Sequence, residues 1–346
     1  MKEDHPVDTP ATLRLTSGDD LVAAVPYLIG FTPTDSMVVV VLDDTRVRFA
    51  ARLDLPPPAE VAHLAAPAAQ HATMIARYGS SAILVGYGPA ERVEPAAALL
   101  TAALEAAAVQ VREILRVDDG RYWCLCGDVD CADGVPYNPD RSTIPAEAAY
   151  LGIAPLPDRA ALERLITPVT GPPRERMFAA TETALRRLAG MLATTTVRAA
   201  GEGRSAPPEQ VMRDGIAAIE QAYQCAARGE TLSDEDVAWL TAVLVVPEVR
   251  DHAWSTCDGS DAQRQLWIDV TRRAMPPTVP APACLLAITV YLAGDGALAN
   301  IAVDRALRAD PDYRLAHLLG QALQAGVPPQ LWRAATTGTT GTTTDE

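Results

Sequence analysis

The sequence has 346 residues, a formal net charge of −15 and a pI near 4.8. This length suits two domains of ordinary size and exceeds what one compact core usually holds. An acidic surface repels nucleic-acid phosphates and anionic lipid headgroups at long range, which argues against a nucleic-acid or a membrane role. Hydrophobic residues make up 49% of the chain but aromatic residues only 5%, and an excess of alanine favours helix.

The first part of the chain predicts a helix followed by a strand hairpin. Residues 16–20 offer capping side chains and early negative charge where a helical apolar stripe begins. Residues 36–42 (SMVVVVL) form an uninterrupted apolar run, which is typical of a strand covered on both faces. After a turn at residues 43–45, apolar and charged side chains alternate as far as residue 55, which predicts the partner strand.

The next segment predicts a strand and helix alternation. Its expected elements are a helix over 59–78 bent at Pro67, a buried strand over 82–85, an alanine-rich helix over 95–108, and strands over 109–117 and 121–125. Such a succession is typical of a right-handed crossover. We therefore predict an α/β domain, a mixed sheet with flanking helices, over residues 1–170. Proline-rich residues 168–173 mark its end.

Residues 171–335 predict an all-α domain of helical hairpins. The expected helices cover residues 175–195, 209–228, 234–245, 261–274, 283–292, 296–309 and 313–325. Ala287, Ala299, Ala306 and Pro311 fall at the small and proline positions of a tetratricopeptide unit. Gln321 replaces the small residue one repeat later, so the array is expected to be degenerate and only tetratricopeptide-like. Residues 336–346 are too poor in apolar side chains to fold and are expected to form a disordered tail.

The opening residues 1–10 lack the apolar region of a signal peptide, and the longest apolar runs fall short of a membrane span. These features predict a cytoplasmic protein. The six cysteines are then expected to be thiols or metal ligands rather than disulfides.

Several short motifs resemble a known family. They are Pro26-Tyr27-Leu28-x-Gly30-Phe31-x-Pro33, Arg52-x-Asp54-Leu55-Pro56, Gly86-Tyr87-Gly88 and Tyr122-Trp123. Together they resemble the actinobacterial domain-of-unknown-function family 4192, over nearly the whole chain. Its members usually carry a Cys-Cys pair after the tryptophan, whereas here Asp130 precedes the single Cys131. The resemblance implies kinship but no activity.

Three cysteines cluster at positions 124, 126 and 131. Zinc could be held by these thiolates with a nearby aspartate, or Cys126 and Cys131 could form a redox pair. The spacing lacks paired Cys-x-x-Cys knuckles and no histidine lies nearby in the sequence, so ordinary thiols are the preferred interpretation. We expect no metal and no cofactor.

A candidate ligand site lies at one end of the predicted sheet. Its members are Asp35, Ser36, Arg52, Asp54, Gly86, Gly88 and Cys126. Open α/β sheets keep ligand crevices at strand ends, and glycines there let a ligand approach the backbone. The Gly-x-Gly motif lacks the rest of a dinucleotide or P-loop signature, so a plain strand-to-helix turn is favoured, and a structural ion pair is favoured for Arg52 and Asp54.

Two functional hypotheses remain. The first is a non-enzymatic interaction or regulatory protein, in which the helical domain binds a protein partner and the α/β domain serves as its platform or senses a small ligand. The second is an enzyme with its site at the carboxyl ends of the sheet strands, which rests on fold analogy alone. We favour the first, because no catalytic motif appears in the sequence.

Overall fold

The structure is a computed structural model that describes residues 17–125, 133–196 and 207–327. The chain divides into two compact units, Met1–Ala161 and Leu162–Glu346. Within the described ranges, no helix has the length and apolar character needed to cross a membrane. The predicted tail, residues 336–346, lies outside the described residues.

The N-terminal unit contains a mixed sheet with flanking helices, as predicted. Its strands are β1 (Ser36–Asp43), β2 (Arg46–Asp54), β3 (Ser81–Tyr87), β4 (Gln110–Asp118), β5 (Arg121–Cys124) and β6 (Val135–Pro136). The strand order is β2-β1-β3-β4-β5-β6. Only β3 and β4 are parallel, and every other neighbouring pair is antiparallel. The predicted crossover is therefore the single β3-to-β4 connection.

Strands β1 and β2 follow directly from their sequences. The β-branched run of β1 is buried at every position from Ser36 to Leu42, and β1 is an internal strand between β2 and β3. The alternating residues of β2 form an edge strand that pairs with β1 from Ser36–Asp54 to Asp43–Arg46. A register shift between Val41 and Leu42 interrupts that pairing.

Helices cover both faces of the sheet. They are α1 (Gly18–Ile29), α2 (Ala65–Ile75), α3 (Ala90–Ala106) and α4 (Ile144–Tyr150). Ser17 caps α1 by accepting a hydrogen bond from the amide of Asp20. Helices α2 and α3 bury Ile75 and Leu100 against Val39 and Leu84 of the sheet.

The boundaries of two helices differ from those predicted. Helix α3 begins at Ala90, five residues earlier than expected, and contains Pro95, whose missing amide leaves the carbonyl oxygen of Glu91 without its helical hydrogen bond. The helix expected over residues 59–78 is split into a 3-10 segment, Pro58–Leu64, and α2. Proline near the start of both segments explains the split.

The helical unit contains nine described helices. They are α5 (Arg159–Arg164), in which the division between the units falls, and α6 (Pro172–Thr196), α7 (Glu209–Ala227), α8 (Asp234–Val243), α9 (Pro247–Ser255), α10 (Asp261–Arg273), α11 (Pro280–Leu292), α12 (Gly296–Ala309) and α13 (Arg314–Gln324). Helix α11 lies at the centre, since it packs against α9, α10, α12 and α13 and is buried from Pro280 to Val290.

Small residues lie where α11 and α12 pack together. Ala287 is 2% exposed, and Ala299 and Ala306 are fully buried. Side chains cap α8, α10 and α12: Ser233, Ser260 and Asp295 accept hydrogen bonds from first-turn amides. The predicted hairpin of α11 and α12 is therefore present.

Candidate functional site

The polar edge of the sheet brings together most of the residues singled out in the sequence. Because β1 is antiparallel to both of its neighbours, the start of β1 meets the ends of β2 and β3. Ser36 lies opposite Asp54 on one side and opposite Tyr87 on the other. The parallel strand β4 ends at the same edge, where Val117 faces Tyr87. We call this row of strand ends, from Asp54 through Ser36 and Tyr87 to Asp118, the polar edge; the term does not refer to the edge strand β2.

Arg52 contacts Ser36, Asp54 and Phe31 at the polar edge. Its Nε donates to the Ser36 hydroxyl at 2.8 Å, and its Nη2 lies 2.6 Å from an Asp54 carboxylate oxygen. The guanidinium also lies over the buried ring of Phe31, 5.7 Å from its centroid. Ser36 is fully buried and donates its own proton to the carbonyl oxygen of Thr34. The ion pair predicted for Arg52 and Asp54 therefore forms.

Asp35 lies at the same edge but is bound by a residue that the sequence analysis missed. Its carboxylate pairs with Arg92, in the first turn of α3. Arg92 also donates to the carbonyl oxygens of Leu55 and Pro56. The main-chain oxygen of Asp35 accepts from the amide of Leu55 at 2.9 Å. These contacts tie the start of α3 to the β1–β2 pair.

The two glycines of the polar edge serve different purposes. A Cβ on Gly86 would lie 2.3 Å from Cγ1 of Val93 and 2.8 Å from Sδ of Met37, so Gly86 lets α3 approach the sheet. Gly88 has a φ of 140°, which few other residues adopt, and donates its amide to the carbonyl oxygen of Val117. The favoured interpretation of a strand-to-helix turn agrees with both observations.

A second arginine missed from the sequence lies at the end of β4. Arg116 is 9% exposed and is the register neighbour of Gly86 on β3 and of Trp123 on β5. Its guanidinium stacks on the Trp123 ring, 3.5 Å from the centroid, and Nη1 lies 3.4 Å from a carboxylate oxygen of Asp118. Nε is buried without a hydrogen-bond partner in the described part of the chain.

Tyrosines gather on the opposite face of the sheet, under α1. Tyr87 is 8% exposed, and its hydroxyl has no hydrogen-bond partner among the described residues. Burial, and then the neighbouring Tyr137, raise the pKa of the Tyr87 phenol far above its usual value. Burial also raises the pKa of Tyr137, with added repulsion from Asp19 and Tyr27. Both phenols therefore stay protonated at neutral pH.

The cysteine cluster is described only in part. Cys126 and Cys131 lie outside the described residues, while Cys124 is a free thiol at the end of β5. In the helical unit, burial raises the pKa of the Cys284 thiol to about 12, which keeps it unreactive. Across residues 17–125, 133–196 and 207–327, no three His, Cys, Asp or Glu side chains are placed to hold a metal ion.

The chemistry of the polar edge is that of paired charges. Each of its three carboxylates, Asp35, Asp54 and Asp118, has an arginine partner. The buried hydroxyl of Ser36 both donates and accepts, whereas that of Tyr87 has no partner among the described residues. One oxygen of each carboxylate is bound by its arginine, and the Asp35 and Asp54 side chains stay 62% and 79% exposed to solvent. The polar edge is therefore a group of arginine-paired carboxylates that remains partly open to solvent.

No local pattern distinguished Arg92 or Arg116 in the sequence. Helix α3 also contains three glutamates, and β4 also contains Arg112, Glu113 and Asp118. Asp35 is remote from Arg92 along the chain, and Trp123 faces Arg116 only because β5 pairs with β4.

Comparison with known proteins shows which family the chain belongs to. A search of curated proteins and a search of solved structures gave no match. A family model described as a domain of unknown function, DUF4192, matches residues 19–330 and thus covers both units. The chain is therefore a member of the DUF4192 family.

Proposed function

We propose that this protein is a non-enzymatic regulatory protein that binds a protein partner through its helical unit and a small ligand at the polar edge. The tetratricopeptide-like character of the helical unit and a cytoplasmic location are part of this proposal. The buried small residues between α11 and α12 support the first of these.

The observation that carries the proposal is a second apolar stripe on α6. One stripe, with Met177 and Leu188, is buried within the unit. The other contains Phe178, Leu185 and Leu192, which are spaced seven residues apart and so lie on one face. Phe178 is 56% exposed and Leu192 36% exposed. Exposed apolar side chains aligned along a helix are typical of a protein-binding surface.

The chemistry of the stripe favours an amphipathic helix of another protein as its occupant. Leucine and phenylalanine at helical spacing suit the side chains of a second helix packed alongside α6. Glu175 and Glu182 are exposed and flank the stripe on one side. Basic residues along the edge of the partner helix would complement them and set its direction.

The polar edge supports the ligand-binding half of the proposal. Its carboxylates and its serine are held by arginines, which favours a rigid binding surface over a reactive centre. Arg116, by contrast, retains unused hydrogen-bonding capacity. A group of this kind is suited to recognising a ligand.

The test uses the full-length chain and two variants. Affinity purification from the native host recovers a partner, and the purified partner is then titrated against each protein. Replacing Phe178 and Leu192 together with serine should abolish binding. Leu318→Ser is the matched control, because Leu318 is 52% exposed on α13 and lies off the stripe. The proposal fails if the α6 variant binds the partner as tightly as the control does.

A further inference from the structure

We infer that the end of β4 and the first turn of α3 form a binding site for an oxyanion, a phosphate or carboxylate group carried by a small ligand, with Arg116 as its principal contact. This inference rests on the ligand-binding half of the proposed function and specifies the chemistry of the ligand. It does not depend on the protein-binding half.

The first argument is the unmet hydrogen-bonding capacity of Arg116. A guanidinium has five N–H donors, and burial is costly unless these are paired. Here the carboxylate of Asp118 is reached only by Nη1, at 3.4 Å, a long distance for a charge-assisted hydrogen bond. Nε has no acceptor within the described residues. Nε and Nη2 form the edge of a guanidinium that binds two oxygens of a carboxylate or phosphate together.

The second argument is the position of α3. One row of the sheet runs from Met37 through Gly86 and Arg116 to Trp123. Gly86 has no side chain, and Val93 in the first turn of α3 occupies the space above it. Neighbouring strands lie about 4.8 Å apart, so the backbone of Arg116 lies beside this turn, while its guanidinium extends over Trp123 of β5.

The start of α3 adds donors of its own. The first amides of a helix have no intrahelical acceptor, and Pro89 at the cap position supplies no side-chain hydrogen bond. The partial positive charge of the helix start favours an anion. The β3–β4 pair is also the only parallel pair among the described strands, and such pairs bind ligands beyond their carboxyl ends.

The Trp123 ring restricts the position of the Arg116 side chain. The guanidinium carbon lies 3.5 Å from the centroid of the Trp123 ring, and this contact restricts the movement of the guanidinium. Gly134 packs against the indole with a φ of 66°, where a Cβ would lie 2.4 Å from the ring. The arginine is therefore positioned before any ligand arrives, which lowers the entropy lost on binding.

The experiment titrates full-length protein with inorganic phosphate, and in a parallel arm with acetate, by calorimetry at low ionic strength. Saturable binding of either anion is expected, and phosphate alone would indicate a phosphorylated ligand. Arg116→Gln should weaken binding about 10- to 100-fold, the loss expected for charge-assisted hydrogen bonds. Arg112→Gln, at an exposed arginine on the same strand, is the matched control and should bind as the wild type does.

Asp118→Asn keeps the test decisive even if Arg116→Gln folds poorly. This change removes the competing carboxylate and its repulsion, so the anion should bind more tightly than to wild-type protein. Binding of neither anion, equal binding by the Arg116 and Arg112 variants, or weaker binding by Asp118→Asn would each overturn the inference. Partner binding by the α6 variants is measured separately and would be unaffected by such a result.

Discussion

The close approach of α3 to the sheet makes Gly86→Ala a sharp test of the packing. A carbon–carbon contact is most favourable near 3.5 to 4.0 Å. The new methyl would lie 2.3 Å from Cγ1 of Val93, so one of the two groups must move by more than 1 Å. Val93 is fully buried and its χ1 is restricted in a helix, so the displacement falls on α3 itself. Met37 can adjust, because its side chain is flexible.

The expected loss of stability follows from two opposing contributions. Overpacking a tight core costs about 1 to 3 kcal/mol. Replacing a strand glycine by alanine recovers about 0.5 to 1 kcal/mol, because the unfolded chain has less entropy to lose. Taking the middle of each range, the free energy of unfolding of the N-terminal unit should therefore fall by about 1 kcal/mol. Urea titration, followed by hydrogen exchange of the β3 amides, measures this change.

A double-mutant cycle identifies the contact responsible. Val93→Ala removes both methyl groups of Val93, so in the Gly86→Ala background it should cost less than it does alone. Gly190→Ala is the control for the entropy gain, because a Cβ at Gly190 on α6 would meet nothing within 4 Å. The packing argument is refuted if Gly86→Ala is as stable as the wild type. It is also refuted if the effects of Gly86→Ala and Val93→Ala on the free energy of unfolding are additive.

Three further predictions concern other parts of the chain. Ala299→Leu should lower the free energy of unfolding of the helical unit by about 1 to 3 kcal/mol in urea, because α11 and α12 must separate; an unchanged midpoint would contradict their close packing. Tyr87→Phe should leave the N-terminal unit equally or more stable in the same assay, because it removes a buried hydroxyl without a described partner. Burial opposes ionisation of Asp234, but hydrogen bonds from Arg176 and Arg273 lower its pKa. The stability it contributes is therefore present above the unfolded pKa of about 3.9 and is lost as the pH falls, so the stability difference between wild type and Asp234→Asn should shrink in acid. A constant difference between pH 7 and pH 3, about one unit below that pKa, would exclude the linkage.

Regular patterns made much of the fold predictable. The run SMVVVVL and the alternating segment after it predicted the β1–β2 hairpin, since period and burial depend on local sequence alone. The same holds for α11 and α12. Helices α4, α5 and α9 were missed, because seven, six and nine residues are too few to establish a helical period.

The candidate site was less predictable, because it depends on the order of strands. The Arg52–Asp54 pair lies within one strand and could be inferred from alternation. Arg92 reaches Asp35 across 57 residues of sequence. Arg116 meets Trp123 only because β5 returns beside β4, and it borders α3 only because β3 lies on the other side. No local pattern carries that information.

The burial of α11 on all sides has a consequence for how the protein is made. Two of its neighbours, α9 and α10, precede it in the chain, and the other two, α12 and α13, follow it. During synthesis α11 therefore leaves the ribosome with the apolar surface that α12 and α13 later cover still exposed, until those two helices have been added. Exposed apolar surface of this kind promotes aggregation and recruits chaperones. A stop codon between α11 and α12 should thus yield an insoluble product rather than a shorter working protein.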